Sequence, residues 1–338
     1  MTTLLGAATL DHAAVRREMG KERLLKLYKQ MLLIRRFEER AEDSYKKGKI
    51  AGFLHLYIGQ EAVATGFYDF LEGGRDFSVT SYRCHAQALL LGLDPKELMA
   101  ELYGKVTGNV RGKGGSMHFF SKEKGYLGGH GIVGGQIPVG TGGAFTAKYL
   151  GTGGVSVTFL GDGASPQGTF HESLNMASLW NLPAIYIIEN NQYGMGTACG
   201  RAVAVKDIAA AKAPGYGMQA FTFDGLDLYA SWKTAQQVVA IARAGRPVLV
   251  EAKTYRYRGH SVSDAALYRT KDEVESYKNL DPIERIKADL IKEGWLTEAG
   301  AEQIDEQIVA RIREAVQFSE ESPEPPLSDL SRHVYAEQ

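Results

Sequence analysis

The chain is short of cysteine, of net charge and of long apolar runs, and each shortage removes a class of protein. Two cysteines, Cys84 and Cys199, occur in 338 residues, far apart and without the paired spacing of a zinc site or a disulfide framework. A reducing compartment, the cytoplasm, fits such a chain. Lysine and arginine number 39 against 40 aspartate and glutamate, a net charge of −1. No global positive field exists to hold a polyanion, so nucleic acid is not expected as a partner. No secretory signal is expected, because Asp11, Arg16, Arg17 and Glu18 follow the first short apolar stretch at once. The longest uncharged run, Gly125 to Ala147, holds nine glycines with His130, Gln136 and Pro138. It reads as a glycine-rich loop and helix start, and no membrane is expected.

Glycine is what the chain has in excess: 39 residues, where average usage would give roughly 24. Twenty of them fall between Gly104 and Gly168, which suggests backbone brought close to something that is not protein. The rest of the composition, 44% hydrophobic and 23% charged, is that of a soluble globular chain with a large core.

Apolar residues recur at helical spacing from Lys21 to Lys47 (Leu24, Leu27, Tyr28, Met31, Ile34), with Gly48 placed to end a long amphipathic helix. Asp94-Pro95-Lys96-Glu97 carries an N-cap, a proline at the first helical position and an early acid. After Gly151 the pattern changes to short apolar strands (Val155 to Leu160, Ala184 to Ile188, Phe221 to Phe223, Pro247 to Ala252) separated by helices. Such alternation implies an α/β fold, a parallel sheet covered by helices on both faces. Beyond Asp281-Pro282 the chain turns charged and helical, until Ser322-Pro323-Glu324-Pro325-Pro326 stops it. The expected division is a helical extension over 1–50, an α/β domain over 51–280, and a helical extension and tail over 281–338.

The strand ending near Leu160 runs into Gly161-Asp162-Gly163-Ala164, and the next strand runs into Glu189-Asn190-Asn191. A parallel crossover puts Asp162 and Asn191 at the carboxyl ends of two strands, the edge where open α/β sheets bind ligands. Either fragment alone is an ordinary turn or strand end. Together they offer one carboxylate and one amide oxygen, a hard donor set with too few ligands to enclose a metal, which suits magnesium sharing its shell with phosphate and water.

Gly161-Asp162-Gly163, 26 further residues and then Asn190-Asn191 resembles the thiamine diphosphate signature of two-oxoacid decarboxylases and dehydrogenases. Gly52 to Leu56, Gly59 to Ala62, Ser81 to His85, Arg111 to His118, Gly131 to Gly134 and Tyr257 to Ser261 resemble the alpha subunits of the pyruvate dehydrogenase (acetyl-transferring) family. The resemblance spans nearly the whole chain and makes the α/β domain a thiamine diphosphate-binding fold. It implies that Asp162, Asn191 and the carbonyl of Tyr193 bind Mg2+ and that Tyr82 and Arg83 contact the diphosphate. Gly131, Val133, Gly163 and Ala164 would line the cofactor with backbone, and Met195 would support its bent shape. His260 and His55 become the residues that hydrogen-bond to substrate or phosphate. It further implies oxidative decarboxylation of pyruvate with transfer of the two-carbon unit to a lipoyl group. The partners would be a beta subunit in an α2β2 heterotetramer, which supplies the acid this chain lacks, and a lipoyl-bearing dihydrolipoyl acetyltransferase core. In the related eukaryotic subunits the serine at Ser261 is a regulatory phosphorylation site.

The sequence also departs from the family pattern, with Pro166-Gln167-Gly168 after the metal loop, Gln192 where arginine is common, and Ala265-Ala266 where a Pro-Gly pair is usual. The polar segment Arg256 to Arg269 is expected to be a loop that orders when cofactor binds. Two rival readings are an acetoin dehydrogenase alpha subunit and a noncatalytic scaffold retaining the fold. A third is a dinucleotide enzyme, because Gly129-His130-Gly131-Ile132-Val133-Gly134 matches that fingerprint literally. Its context is poor: Lys122 to Leu127 is not predicted as a strand and no acid follows about twenty residues on. Cys84 reads as a packing residue, and His118 is left without a role.

Overall fold

The computed structural model describes residues 2–5, 10–332 and 334. Its strands are β1 (Thr2–Leu5), β2 (Phe77–Ser81), β3 (Tyr126–His130), β4 (Ser156–Gly161), β5 (Ala184–Asn190), β6 (Tyr193–Gly194), β7 (Thr197–Ala198), β8 (Gln219–Asp224) and β9 (Val248–Lys253). Seven of them form one sheet in the order β1-β8-β9-β5-β4-β2-β3, every pairing parallel, while β6 and β7 make a small antiparallel pair. The helices before the sheet's centre are α1 (His12–Lys46), α2 (Glu61–Tyr68), α3 (His85–Leu90), α4 (Pro95–Leu102) and α5 (Gln136–Tyr149). After it come α6 (Gly168–Leu179), α7 (Cys199–Ala202), α8 (Ile208–Lys212), α9 (Leu228–Arg243), α10 (Lys271–Lys278), α11 (Pro282–Lys292) and α12 (Glu298–Glu321). The expected α/β architecture is present.

Side chains alternate across a strand, and here both faces of the sheet are buried. Val157 and Phe159 of β4, Ile185 and Ile187 of β5, and Val248 and Val250 of β9 enter one core with Phe37 of α1, Phe67 of α2 and Val238 of α9. Leu160, Tyr186, Ile188 and Leu249 face the other way, against Ile137 and Ala144 of α5 and Phe170 and Leu174 of α6. A third core joins Leu24, Leu27 and Met31 of α1 to Trp232 of α9 and Ile286 and Leu290 of α11. Ile312 and Ala315 of α12 pack into the first core, so both terminal helical segments are fastened to the sheet layer.

The end signals read from the sequence work as capping chemistry predicts. Asp94 accepts from the Lys96 backbone N–H at the start of α4, and Gly48 takes φ +71 after α1 while its N–H bonds to the Tyr45 carbonyl. The long helix begins earlier than Lys21, because a separate first limb runs from His12 to a break at Gly20, where φ is 71 and ψ 168.

Three strands, β1, β2 and β3, go beyond the sequence reading. Lys122 to Gly125 is a turn, as expected, but the expectation is corrected at Tyr126 and Leu127: Tyr126–His130 is a parallel edge strand leading through a turn into α5. Its sequence, Tyr-Leu-Gly-Gly-His, hides it, since glycine weakens strand propensity. The glycines are there for space, because a Cβ on Gly129 would lie 2.4 Å from the Met117 carbonyl oxygen and 2.7 Å from Cys84 Sγ. The acid of a dinucleotide site is still missing, as no Asp or Glu occurs between Gly135 and Gly161. Among the described residues no helix is long and apolar enough to cross a membrane.

Candidate active site

A parallel sheet delivers all its strand ends to one edge, and five of them converge here. Tyr82 and Arg83 follow β2, Gly131 and Val133 follow β3, and Asp162, Gly163 and Ala164 follow β4. Asn191 follows β5, Tyr193 and Met195 lie on and beside β6, and His260 sits on the segment leaving β9. These residues line a cavity of about 310 Å³, all but Gly131 and His55 of those singled out from the sequence. The His55 ring stands behind the wall, 4.4 Å from the Tyr82 ring and 5.2 Å from that of His260. Gly131 turns instead toward His118, whose Nδ1 lies 3.0 Å from the Gly129 carbonyl oxygen.

Asp162, Asn191 and Tyr193 bring oxygen atoms to the cavity wall. Asp162 is 1% exposed, and its Oδ2 has no hydrogen-bond partner among the described residues. Burial pushes its carboxyl up to about 6, since a low-dielectric surrounding disfavours the charged form. Asn191 donates from Nδ2 to Gln60 Oε1, and its Oδ1 and the Tyr193 carbonyl oxygen both accept from Arg256 Nη1. The strand-to-loop turn that carries them uses the left-handed region without glycine, with φ +75 at Gln192 and +52 at Met195. Such strain is retained where surrounding bonds over-determine it. No cluster of three or more His, Cys, Asp and Glu exists among the described residues, so an ion held here takes amide and carbonyl oxygen beside a single carboxylate.

The cavity also holds two buried cations, Arg83 and Arg256. Arg83, 4% exposed, gives its hydrogen bonds to the Leu56 and His260 carbonyl oxygens, and burial followed by the charge of Arg256 pushes its pKa down to about 10. Burial, with Arg83 next in weight, pushes His55 to about 2 and His260 to about 3. Both rings are therefore neutral at neutral pH, and the Nδ1 of each is buried without a partner among the described residues. Two guanidinium groups and the unsatisfied imidazole of His260 around one cavity, with that of His55 behind it, are suited to an anion with several oxygens.

Sequence reasoning missed Arg256 and Gln136, which also line the cavity. Arg256 is 1% exposed and lies one residue before a quoted motif, and only the fold shows that it points inward. The Arg256 to Arg269 segment is held by Asp264, which accepts from the His260 and Ala266 backbone N–H groups and from the Tyr268 hydroxyl. These bonds are the order the segment would have to gain. Ala266 stands at φ +53, a glycine-favouring conformation, which is the consequence of Ala265-Ala266 in this loop. Ser261 is buried beside His260, its Oγ 2.9 Å from that of Ser263. Cys84 is fully buried, with its thiol pushed up to about 12, as a packing residue should be.

A larger cleft of about 470 Å³ lies at the start of α1, but its charges already answer one another, through His12 with Asp227 and Arg16 with Asp289. The strand-end cavity is the one whose polar groups remain to be satisfied.

Fold and cavity together define an α/β protein with a buried polar cavity at the carboxyl edge of a parallel sheet, and comparison with known proteins places it further. Residues 29–328 match the family described as Dehydrogenase E1 component, and the chain belongs to that family. It is 47% identical over 316 residues, 93% of this chain and 96% of the other, to "Pyruvate dehydrogenase E1 component subunit alpha" of Rickettsia felis. The protein of the same name from Rhizobium meliloti is 49% identical over 93% of this chain and 90% of its own length. "Pyruvate dehydrogenase E1 component subunit alpha-3, chloroplastic" of Oryza sativa is 42% identical over 98% of this chain and 79% of its own.

Proposed function

We propose that the chain is the alpha subunit of a cytoplasmic pyruvate dehydrogenase E1 component, binding thiamine diphosphate through Mg2+ and decarboxylating pyruvate oxidatively onto a lipoyl group. The observation that carries this is the polarity of the cavity. A buried, unpartnered carboxylate oxygen of Asp162 shares the cavity with two buried arginines, Arg83 and Arg256, that are bonded only to uncharged oxygens. A divalent cation bridging to a diphosphate answers both needs at once.

In this reading Asp162, Asn191 Oδ1 and the Tyr193 carbonyl hold the metal, while Tyr82, Arg83 and His260 take the phosphate oxygens. Gly163 and Ala164 leave room for the cofactor's backbone contacts, with Val133 and Met195 against its rings. When bound, thiamine diphosphate supplies the nucleophilic carbon and the electron sink. The protein's part is position and desolvation: His55 and His260, neutral through burial, can donate or accept one hydrogen bond to substrate without adding charge.

Activation of the cofactor ring needs a carboxylic acid, and apart from Asp162 no acid among the described residues lines the cavity. At its mouth Ile132 is 78% and Met195 65% exposed, and further exposed apolar residues, Val139, Phe145 and Tyr149 of α5 with Leu179 and Trp180 at the end of α6, follow along the helices leading away from it. An exposed apolar face next to an incomplete site supports a second subunit closing over it. We assign that place to a beta subunit in an α2β2 assembly, docked in turn on a lipoyl-bearing acetyltransferase core. Rates with pyruvate, acetoin and branched-chain oxoacids test the assignment in the reconstituted complex. Pyruvate should be strongly preferred, and the isolated chain should decarboxylate it negligibly. Preference for acetoin, comparable activity without a partner, or no thiamine diphosphate binding at all would each overturn a stated part.

A further inference from the structure

Arg256 is a buried cation whose place is already taken up by the oxygens that the proposed function gives to a metal. Its Nη1 donates to Asn191 Oδ1 at 3.1 Å and to the Tyr193 carbonyl oxygen at 2.9 Å. Its Nη2 donates to the Met195 carbonyl oxygen at 3.3 Å and the Tyr268 hydroxyl at 2.9 Å. None of these acceptors carries a charge. Asp162 and Asp264 lie within electrostatic reach of Arg256, but neither is bonded to it, so the buried guanidinium has no direct ion pair to offset its desolvation.

A divalent ion on either of those oxygens, at a metal–oxygen distance of about 2.1 Å, would lie within roughly 5 Å of Nη1. At that range two cations repel strongly in a protein interior. An anion of several charges reverses the balance, because it pairs with both.

Resting on the reading of the site given above, we propose that Arg256 couples the two halves of the site: it opposes a divalent cation arriving alone, attracts a diphosphate, and so makes metal and diphosphate bind together. The charge that opposes the metal is the charge that welcomes the phosphate. Arg256 is a positioning and coupling residue, bonded to the proposed ligand oxygens and not itself a metal ligand.

The test measures the two ligands separately in the chain assembled with its beta subunit and freed of metal and cofactor by chelation. Mn2+ alone is titrated by electron paramagnetic resonance, and thiamine diphosphate alone by calorimetry in the presence of EDTA. Arg256→Met should bind Mn2+ alone about tenfold or more tightly than the parent and thiamine diphosphate alone about tenfold more weakly. Arg256→Lys, which keeps the charge, should move neither by more than a few-fold. Arg256→Gln, neutral but able to donate, repeats the test if the methionine variant does not fold. Changes of opposite sign support the coupling. Weakening of both ligands would reduce Arg256 to a structural clamp and overturn it, as would no change in either. A parent assembly that binds metal and thiamine diphosphate in no combination would instead refute the reading of the site itself.

Discussion

Two buried polar clusters in this protein look alike in a residue inventory and differ in whether their charges are answered. Glu38, His85 and Ser116 form the first: His85 Nδ1 lies 2.7 Å from Glu38 Oε2 and its Nε2 3.0 Å from Ser116 Oγ, while Glu38 Oε1 accepts from the Tyr57 backbone N–H. The spacing is that of an acid, a base and a nucleophile, yet Glu38 and His85 are fully buried and Ser116 nearly so. No substrate reaches it, and it ties α1 to α3 and the glycine-rich loop. The strand-end cavity is the second: Asp162 Oδ2 and the Nδ1 atoms of His55 and His260 are buried without partners among the described residues. Satisfied buried polarity stabilises a fold, and unsatisfied buried polarity facing a cavity marks a place for a ligand.

Breaking each cluster should produce opposite phenotypes. Asp162→Ala should abolish metal-dependent thiamine diphosphate binding by calorimetry while the unliganded chain melts within a few degrees of the parent, since a costly buried carboxyl is removed and not core volume. Glu38→Ala should do the reverse. It strands His85 and the Tyr57 N–H, and should lower stability by about 3 kcal/mol or more in a denaturant titration.

Acid sharpens the contrast. His55 and His260 have folded pKa values near 2 and 3, below the 6.5 of a free imidazole, so the unfolded chain binds more protons below pH 6.5 and stability falls as pH falls. Asp162 contributes the opposite slope: raised to about 6 from 3.8, it favours the folded state when protonated, and that contribution is lost as pH rises through about 6. Measured in an Asp162→Asn background, replacement of both histidines by Asn should flatten the loss of melting temperature between pH 6.5 and 4. An unchanged acid slope would mean that neither imidazole is held neutral.

The smallest effect concerns the loop that carries His260. Ala266 at φ +53 pays the left-handed penalty that glycine avoids, partly offset by glycine's greater freedom when unfolded. Ala266→Gly should stabilise by about 0.5 kcal/mol, read as a small rise in melting temperature; destabilisation would place the loop in another conformation.

Much of the site is legible in the amino-acid sequence, and the boundary is physical. Asp162 and Asn191 follow strands whose apolar runs announce themselves, and the crossover rule puts both at one edge. Tyr82, Arg83, Gly131 and Val133 come only by resemblance, because β2 is a short strand interrupted by serines and β3 carries two glycines, so their strand character depends on the neighbours they pack against. Arg256 escapes notice because an arginine after a strand is ordinarily solvent-exposed, and nothing local says that this one is buried.

Local sequence is enough for the elements with strong periodicity and the helix ends with explicit caps, because those follow from residues close along the chain, and the crossover rule then turns successive strand-helix-strand units into a parallel sheet with its pair of oxygen donors at the carboxyl edge. Tertiary packing makes β3 a strand, seals Glu38, His85 and Ser116 away, and brings Arg256 to the oxygens of Asn191 and Tyr193. Burial and long-range pairing set those outcomes: Arg256 and Asn191 are 65 residues apart, and His85 and Glu38 are 47. Whether a charge is answered depends on what the fold brings beside it.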